Sequence, residues 1–166
     1  AVVRDGKLVH ARGFGFADVA NRTDAQAQTL FRIASVSKPL AAIATLRLLE
    51  RGSLQLDEPV FSYLEEWKPL LGDPRMQAIT ILHLLHHSGG WDVAETGDPC
   101  FPAHADLVAL GASFPPTRDE LLGFVLQQPL QFDPGTREAY SNFGFVLLGR
   151  VIERVTGQTF EDAVRD

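Results

Sequence analysis

The sequence predicts a mixed α/β (α+β) fold, an antiparallel sheet flanked by helices and joined to a mostly helical region. Three observations carry this reading. The N-terminal "AVVRDGKLVHARGFGFADVA" reads as a β-hairpin, with β-formers on both sides of the two-residue turn Asp5-Gly6. The stretch from about Val36 to Arg51 is so apolar that most sides of a helix there must be buried, and Gly52 ends it. Beyond Gly52 the patterning is mostly helical, broken by Gly and Pro.

Taken in order, Asp57 before "EPVFSYLEEW" reads as an N-cap, with Pro59 tolerated in the first turn. Thr80 opens a short helix, "ILHLLHHSGG", stopped by its glycines. Residues 92–116, rich in Gly and Pro, read as a long loop of the kind that often carries function. Thr117 and Glu120 form a capping box for "RDELLGFVLQQ". "SNFGFVLLGRVIERVTG" is an amphipathic helix closed by Gly157. A lone hairpin is marginally stable, and no convincing strand run comes after residue 20. The expectation is therefore an incomplete domain over 1–166. Residues 1–34 form its hairpin and lead-in, 35–166 its serine-led helix and helical region, and its C-terminal strands lie beyond residue 166. The remainder of that domain is the first partner the chain requires.

The composition of the 166 residues is that of an ordinary globular protein, 45% hydrophobic and 22% charged. A net charge of −6, with no basic run, argues against nucleic acid or an anionic membrane surface as the main partner. No apolar stretch reaches the roughly 18 residues of a membrane span. A single cysteine, Cys100, leaves no internal disulfide framework.

Two short motifs carry chemistry. In "FRIASVSKPLAA", Ser35 and Lys38 are three residues apart, a spacing that puts both on one helix face. A lysine amine can take a proton from a serine hydroxyl, and the free N–H groups of a helix start suit a developing oxyanion. The alternative is a capped helix start, since serine is a common N-cap. In "FDPGTREAYSNFGF", Asp133-Pro134-Gly135 is a turn and Ser141 or Asn142 caps the next helix, so Tyr140 is presented on a tight connection. A phenol titrates near pH 10 and serves as a base at neutral pH only beside positive charge, which Lys38 could supply. Asn142 offers an amide that both donates and accepts. The alternative is a capped helix with a half-buried tyrosine.

Ser35-Val36-Ser37-Lys38, then Tyr140-Ser141-Asn142 about a hundred residues later, resembles the serine β-lactamase and D,D-peptidase (penicillin-binding protein-like) superfamily, in its class C-like and esterase branch. "GFGFADV", "LLERGSLQLDEPV", "ITILHLLHHSGG" and "FDPGTREAYSNFGFVLLGRVIERVTG" resemble that family's framework in its order. The resemblance covers the chain apart from about 92–116. It implies a β-lactamase/transpeptidase-like fold and a serine hydrolase that forms an acyl-enzyme with β-lactams, D-Ala-peptides or small esters. Ser35 would attack the carbonyl and its N–H would form half of the oxyanion hole. Lys38 would ease deprotonation of Ser35 and pass protons to Tyr140, the general base and the acid toward the leaving group. Asn142 would orient the substrate and hold Lys38. The family's third motif, Lys or His, Ser or Thr, then Gly, does not come after Asn142; His87-Ser88-Gly89 precedes Tyr140 and resembles a helical-region element instead. Residues 1–166 alone should then be inactive. The competing reading is a catalytically degenerate binding or sensing module. The resemblance implies no cofactor, a small-molecule or peptidoglycan-like substrate, and a periplasmic or extracellular location.

Rival constellations are weaker. His83, His86 and His87 have a spacing that could hold a metal, but no Glu lies between them and no distant ligand is evident. Packing and capping of the Gly89-Gly90 turn is the better reading. Gly13-Phe14-Gly15 lacks the third glycine of a nucleotide loop, and no Gly-x-Ser-x-Gly elbow occurs. Asp98, Cys100, Phe101 and His104 are candidate substrate contacts only in the sense that any residue of this loop is, with Cys100 read as inert.

Overall fold

A short antiparallel ladder opens the chain. In the computed structural model, which describes residues 1–102, 106, 108, 111, 113 and 115–165, β1 (Val2–Arg4) pairs with β2 (Lys7–His10) in the register Val3↔Leu8 and Arg4↔Lys7. Asp5 and Gly6 take φ of 50° and 72°, the left-handed pair that an Asp-Gly hairpin turn uses. The sequence reading of one hairpin through residue 20 is corrected here. A second two-stranded ladder pairs β3 (Phe16–Asp18) with β4 (Thr23–Asp24). Its turn is closed by Asn21, whose N–H and Nδ2 both donate to Asp18, an Asx pattern that periodicity does not reveal. All residues of these four strands are exposed.

The chain divides into two units, Ala1–Ser35 and Val36–Asp166. In the second, α1 (Ser37–Glu50) comes after a single 3-10 turn, Ala34–Val36. It buries Ala41, Ala44, Thr45 and Leu48 but leaves Leu40, Ile43 and Leu46 exposed. The expectation that most of its sides are covered therefore fails: one apolar stripe at i, i+3, i+6 has no cover among the described residues.

Asp57 does not cap the next helix. The capping position of α2 (Val60–Tyr63) is Pro59, whose extended backbone bridges to Thr80. Thr80 and His83 form the capping box of α3 (Ile81–Leu85), as Thr117 and Glu120 do for α5 (Arg118–Leu126). Between these lies α4 (Val93–Thr96), capped by Asp92, so 92–116 is not loop throughout; four residues are too few to show a helical period. His104 lies outside the described residues.

The central element is α6 (Asn142–Thr156), with α7 (Phe160–Arg165) after it. Phe143, Leu147, Leu148, Val151 and Ile152 stand on one face of α6 and are fully buried, packed with Phe61, Ile81, Leu84 and Leu122. At about 1.5–3 kcal/mol for each large side chain removed from water, this face fixes the axis of α6 and with it the position of its first residue. Ser141 caps the helix through Gly144 N–H at 3.2 Å, and Gly157, at φ 69°, closes it.

Arg75 fastens the approach to α6. Its guanidinium donates to Asp73, to Leu130 O at 2.8 Å and to Asp133 Oδ1 at 2.7 Å, while buried Asp73 also accepts from Leu130 N–H at 3.0 Å. Gly135, at φ 81°, completes the Asp133 turn; a Cβ there would stand 2.7 Å from His83 Nε2.

Candidate active site

Ser35 closes the first unit. It is exposed, within the turn Ala34–Val36 and three residues before Lys38. The capping position of α1 falls on Val36, which has no side-chain oxygen, so neither serine stands where an N-cap would. Ala34 takes φ 44°, a conformation that costs an alanine roughly 1–2 kcal/mol, immediately before the serine. No residue type signals that strain in the sequence. Pro39 stands in the first turn of α1, where its missing N–H forfeits no helical bond.

The second unit gathers Lys38, Tyr140 and Asn142, from segments about a hundred residues apart. Half-buried Lys38 donates from Nζ to Asn142 Oδ1 at 2.5 Å, and its ammonium lies 4.7 Å from the centre of the Tyr140 ring and 5.6 Å from that of Phe145. An ammonium over an aromatic face is attracted by about 0.5–2 kcal/mol, depending on desolvation. Tyr140 is 49% exposed, so solvent and a substrate can reach it. Of the two caps the sequence left open, Ser141 is the cap, and Asn142, the first helical residue, is left to face Lys38.

Two further residues complete this arrangement. Lys38 has only donors, so its bond turns the Asn142 oxygen toward it and the amide nitrogen away. That nitrogen donates to Asp98 Oδ2 at 2.5 Å. The sequence named Asp98 only as one of several loop residues, with no signal that it reaches Asn142. Asp98 and Phe101 also line a cleft of about 380 Å³ with Trp91 and Phe124. Cys100 is half-buried; burial first, then the nearby Asp98, pushes its thiol up to about 12, as befits an inert cysteine.

The other residue is His87, which sequence reading assigned to the turn after α3. Its Nδ1 accepts from Ser141 N–H at 3.2 Å and its carbonyl accepts from Ala139 N–H at 2.8 Å. Its ring centre lies 4.7 Å from that of Tyr140 and 5.1 Å from that of Phe145. Burial, then the charge of Lys38, lowers its pKa below the ordinary histidine value. His83, by contrast, is spent on the capping box, with Thr80 N–H donating to its Nδ1 at 3.2 Å. Among the described residues no cluster of three or more His, Cys, Asp or Glu could hold a metal, and no helix is long and apolar enough to cross a membrane.

The beta-lactamase family model matches residues 1–166, and the chain belongs to that family. Esterase EstB from Burkholderia gladioli is 37% identical over 175 residues, covering 98% of this chain and 42% of that protein. A putative D-alanyl-D-alanine carboxypeptidase from Escherichia coli is 27% identical, covering 99% of this chain and 39% of that protein. Among solved structures, a penicillin-binding protein from Bacillus halodurans matches with a TM-score of 0.69 and 35% identity, over 92% of this chain and 44% of that one. The fold is that of the β-lactamase and penicillin-binding proteins, and the relatives include hydrolases, an esterase and a putative carboxypeptidase. The chain spans about two-fifths of the length of the relatives it matches.

Proposed function

We propose that this chain supplies the nucleophile side of a serine hydrolase acting through an acyl-enzyme. The single observation that carries the reading is Lys38, held by Asn142 and lying over Tyr140, three residues after Ser35. Ser35 Oγ attacks a carbonyl carbon and its proton passes to the Lys38–Tyr140 pair. The bond from carbon to the leaving group breaks, Tyr140 returns the proton to that group, and water releases the acyl chain by the same steps in reverse roles. The Lys38 ammonium over the Tyr140 ring brings to that phenol the positive charge that a tyrosine base requires. Asn142, anchored at both ends of its amide, keeps Lys38 in place and borders the substrate.

The substrate class, on this reading, is a β-lactam, a D-Ala-containing peptide or a small ester, in line with what the relatives' names say of those proteins. Activity requires a completed domain. The exposed stripe Leu40, Ile43, Leu46 on α1 and the uncovered strands Val2–Arg4 and Lys7–His10 offer apolar surface for further strands of the same domain. Residues 1–166 alone are then inactive. The test is a fluorescent serine-directed phosphonate applied to the intact protein, with mass spectrometry of the adduct. A label on the peptide containing Ser35 is expected. Its absence, where a control serine hydrolase labels, refutes the proposal and leaves a binding module.

A further inference from the structure

We infer that His87 is a positioning residue that holds Tyr140 for proton transfer and does so only while its imidazole is neutral. The inference rests on the proposed acyl-transfer chemistry at Ser35 and names a further residue for it. Two backbone bonds bracket the tyrosine, and both end on the same residue: Ala139 N–H reaches His87 O at 2.8 Å and Ser141 N–H reaches His87 Nδ1 at 3.2 Å. The ring of that same residue lies against the tyrosine ring at 4.7 Å. Tyr140 is thus held before, after and on its face by one side chain and its carbonyl.

The geometry also defines the tautomer. A backbone N–H is always a donor, so Nδ1 must be the unprotonated acceptor and the ring proton must sit on Nε2. Adding a second proton turns Nδ1 into a donor facing a donor. It also sets a cation near Lys38 Nζ, which lies 4.7 Å from the centre of the adjoining Tyr140 ring. The groups that bear on His87 charge are Lys38 from α1, and Glu138 and Tyr140 from the segment leading into α6. Of these, Lys38 opposes protonation and Glu138 favours it, and burial, the largest influence, opposes it. Neutral His87 is therefore the state at neutral pH, and it is lost as pH falls through its lowered pKa. The left-handed backbone at His87, φ 54°, is a conformation that L residues seldom adopt, and it aims the carbonyl and the ring at the same target.

The experiment compares wild type, His87→Asn and His87→Ala in the intact protein, measuring kcat and KM with an uncharged ester from pH 4.5 to 8.5. Asparagine tolerates the left-handed backbone and offers Oδ1 in place of Nδ1, but it does not titrate. Wild-type kcat/KM should fall on the acid side with a single proton. His87→Asn should lose about tenfold in kcat at pH 7.5 for want of the ring, yet no longer show that acid fall. His87→Ala should lose about a hundredfold in kcat at pH 7.5 with KM little changed, and the gap to wild type should narrow as pH falls. An acid fall that persists unchanged in His87→Asn overturns the inference, as does wild-type kcat in His87→Ala. Phosphonate labelling of wild-type Ser35 separates the two proposals. Labelling with an unmoved acid limb sinks only the role of His87, whereas no labelling sinks the acyl-transfer reading itself.

Discussion

The bond from Asn142 to Asp98 gives a quantitative test of how the site is held. Replacing Asp98 by alanine removes the oxygen that accepts from Asn142 Nδ2 at 2.5 Å. A hydrogen bond to a charged group contributes about 1.5–3 kcal/mol when sheltered from water. Both residues are only half-buried, so solvent competes and about 1–2 kcal/mol remains. The other end of the same amide holds Lys38 at 2.5 Å, so the loss should appear in transition-state stabilisation. It corresponds to a fall of about 5–30-fold in kcat/KM for Asp98→Ala. Asn142→Ala removes the donor and its bond to Lys38, and should cost more. Once the donor is gone, deleting Asp98 as well should add little, so a double-mutant cycle on kcat/KM should give a coupling of about 1–2 kcal/mol. A coupling below about 0.3 kcal/mol, within the error of additivity, would refute the argument that this bond sets the amide.

Three other outcomes depend on single side chains. The Asp73 carboxyl is held down to about 2, chiefly by hydrogen bonds from Arg75, so its contribution is present above about pH 4 and lost as pH falls toward 2. Allowing for the exposure of Arg75, Asp73→Asn should remove about 1–2 kcal/mol at pH 7 and flatten stability between pH 4 and 2, checked by urea unfolding at several pH values. Phe143→Ala, at a fully buried ring packed edge-on against Trp91 at 5.0 Å, should lose about 3–5 kcal/mol, read from the tryptophan fluorescence transition in urea. Cys100, pushed up to about 12 by burial, should react with iodoacetamide at pH 8 at least about a hundredfold more slowly in the native protein than after denaturation.

What the sequence made legible was the chemistry of neighbours. Thr117 with Glu120 and Gly157 after α6 are local devices that stand where spacing placed them, and Ser141 is one of the two caps it offered. The same logic failed at Asp57, because the extended backbone at Pro59, bridged to Thr80, moved the capping position two residues on. It missed α4 and β4, which are shorter than any period can register. At the candidate site, the residue types at 35, 38, 140 and 142 were readable, and the Lys38–Asn142 contact was foreseen only through resemblance. The reach of Asp98 to Asn142 and of His87 to Ser141 spans 44 and 54 residues and depends on how packed helices bring distant backbones together. No pattern in either segment encodes that meeting. The left-handed conformation at Ala34 was equally invisible, since alanine is not a residue type that advertises it.

The Arg75 clasp has an evolutionary consequence. By tying residues 73–75 to residues 130–133, it anchors both ends of the intervening fifty-odd residues on the same small patch. Chain inserted between the two feet then leaves both of them pinned, and each doubling of a flexible loop costs only about 0.6 kcal/mol. Insertions there would reshape what borders the cleft without shifting the tyrosine beyond the second foot. Selectivity and reactivity could thus diverge along separate lines, one drafted by inserted chain and the other guarded at the pinned feet.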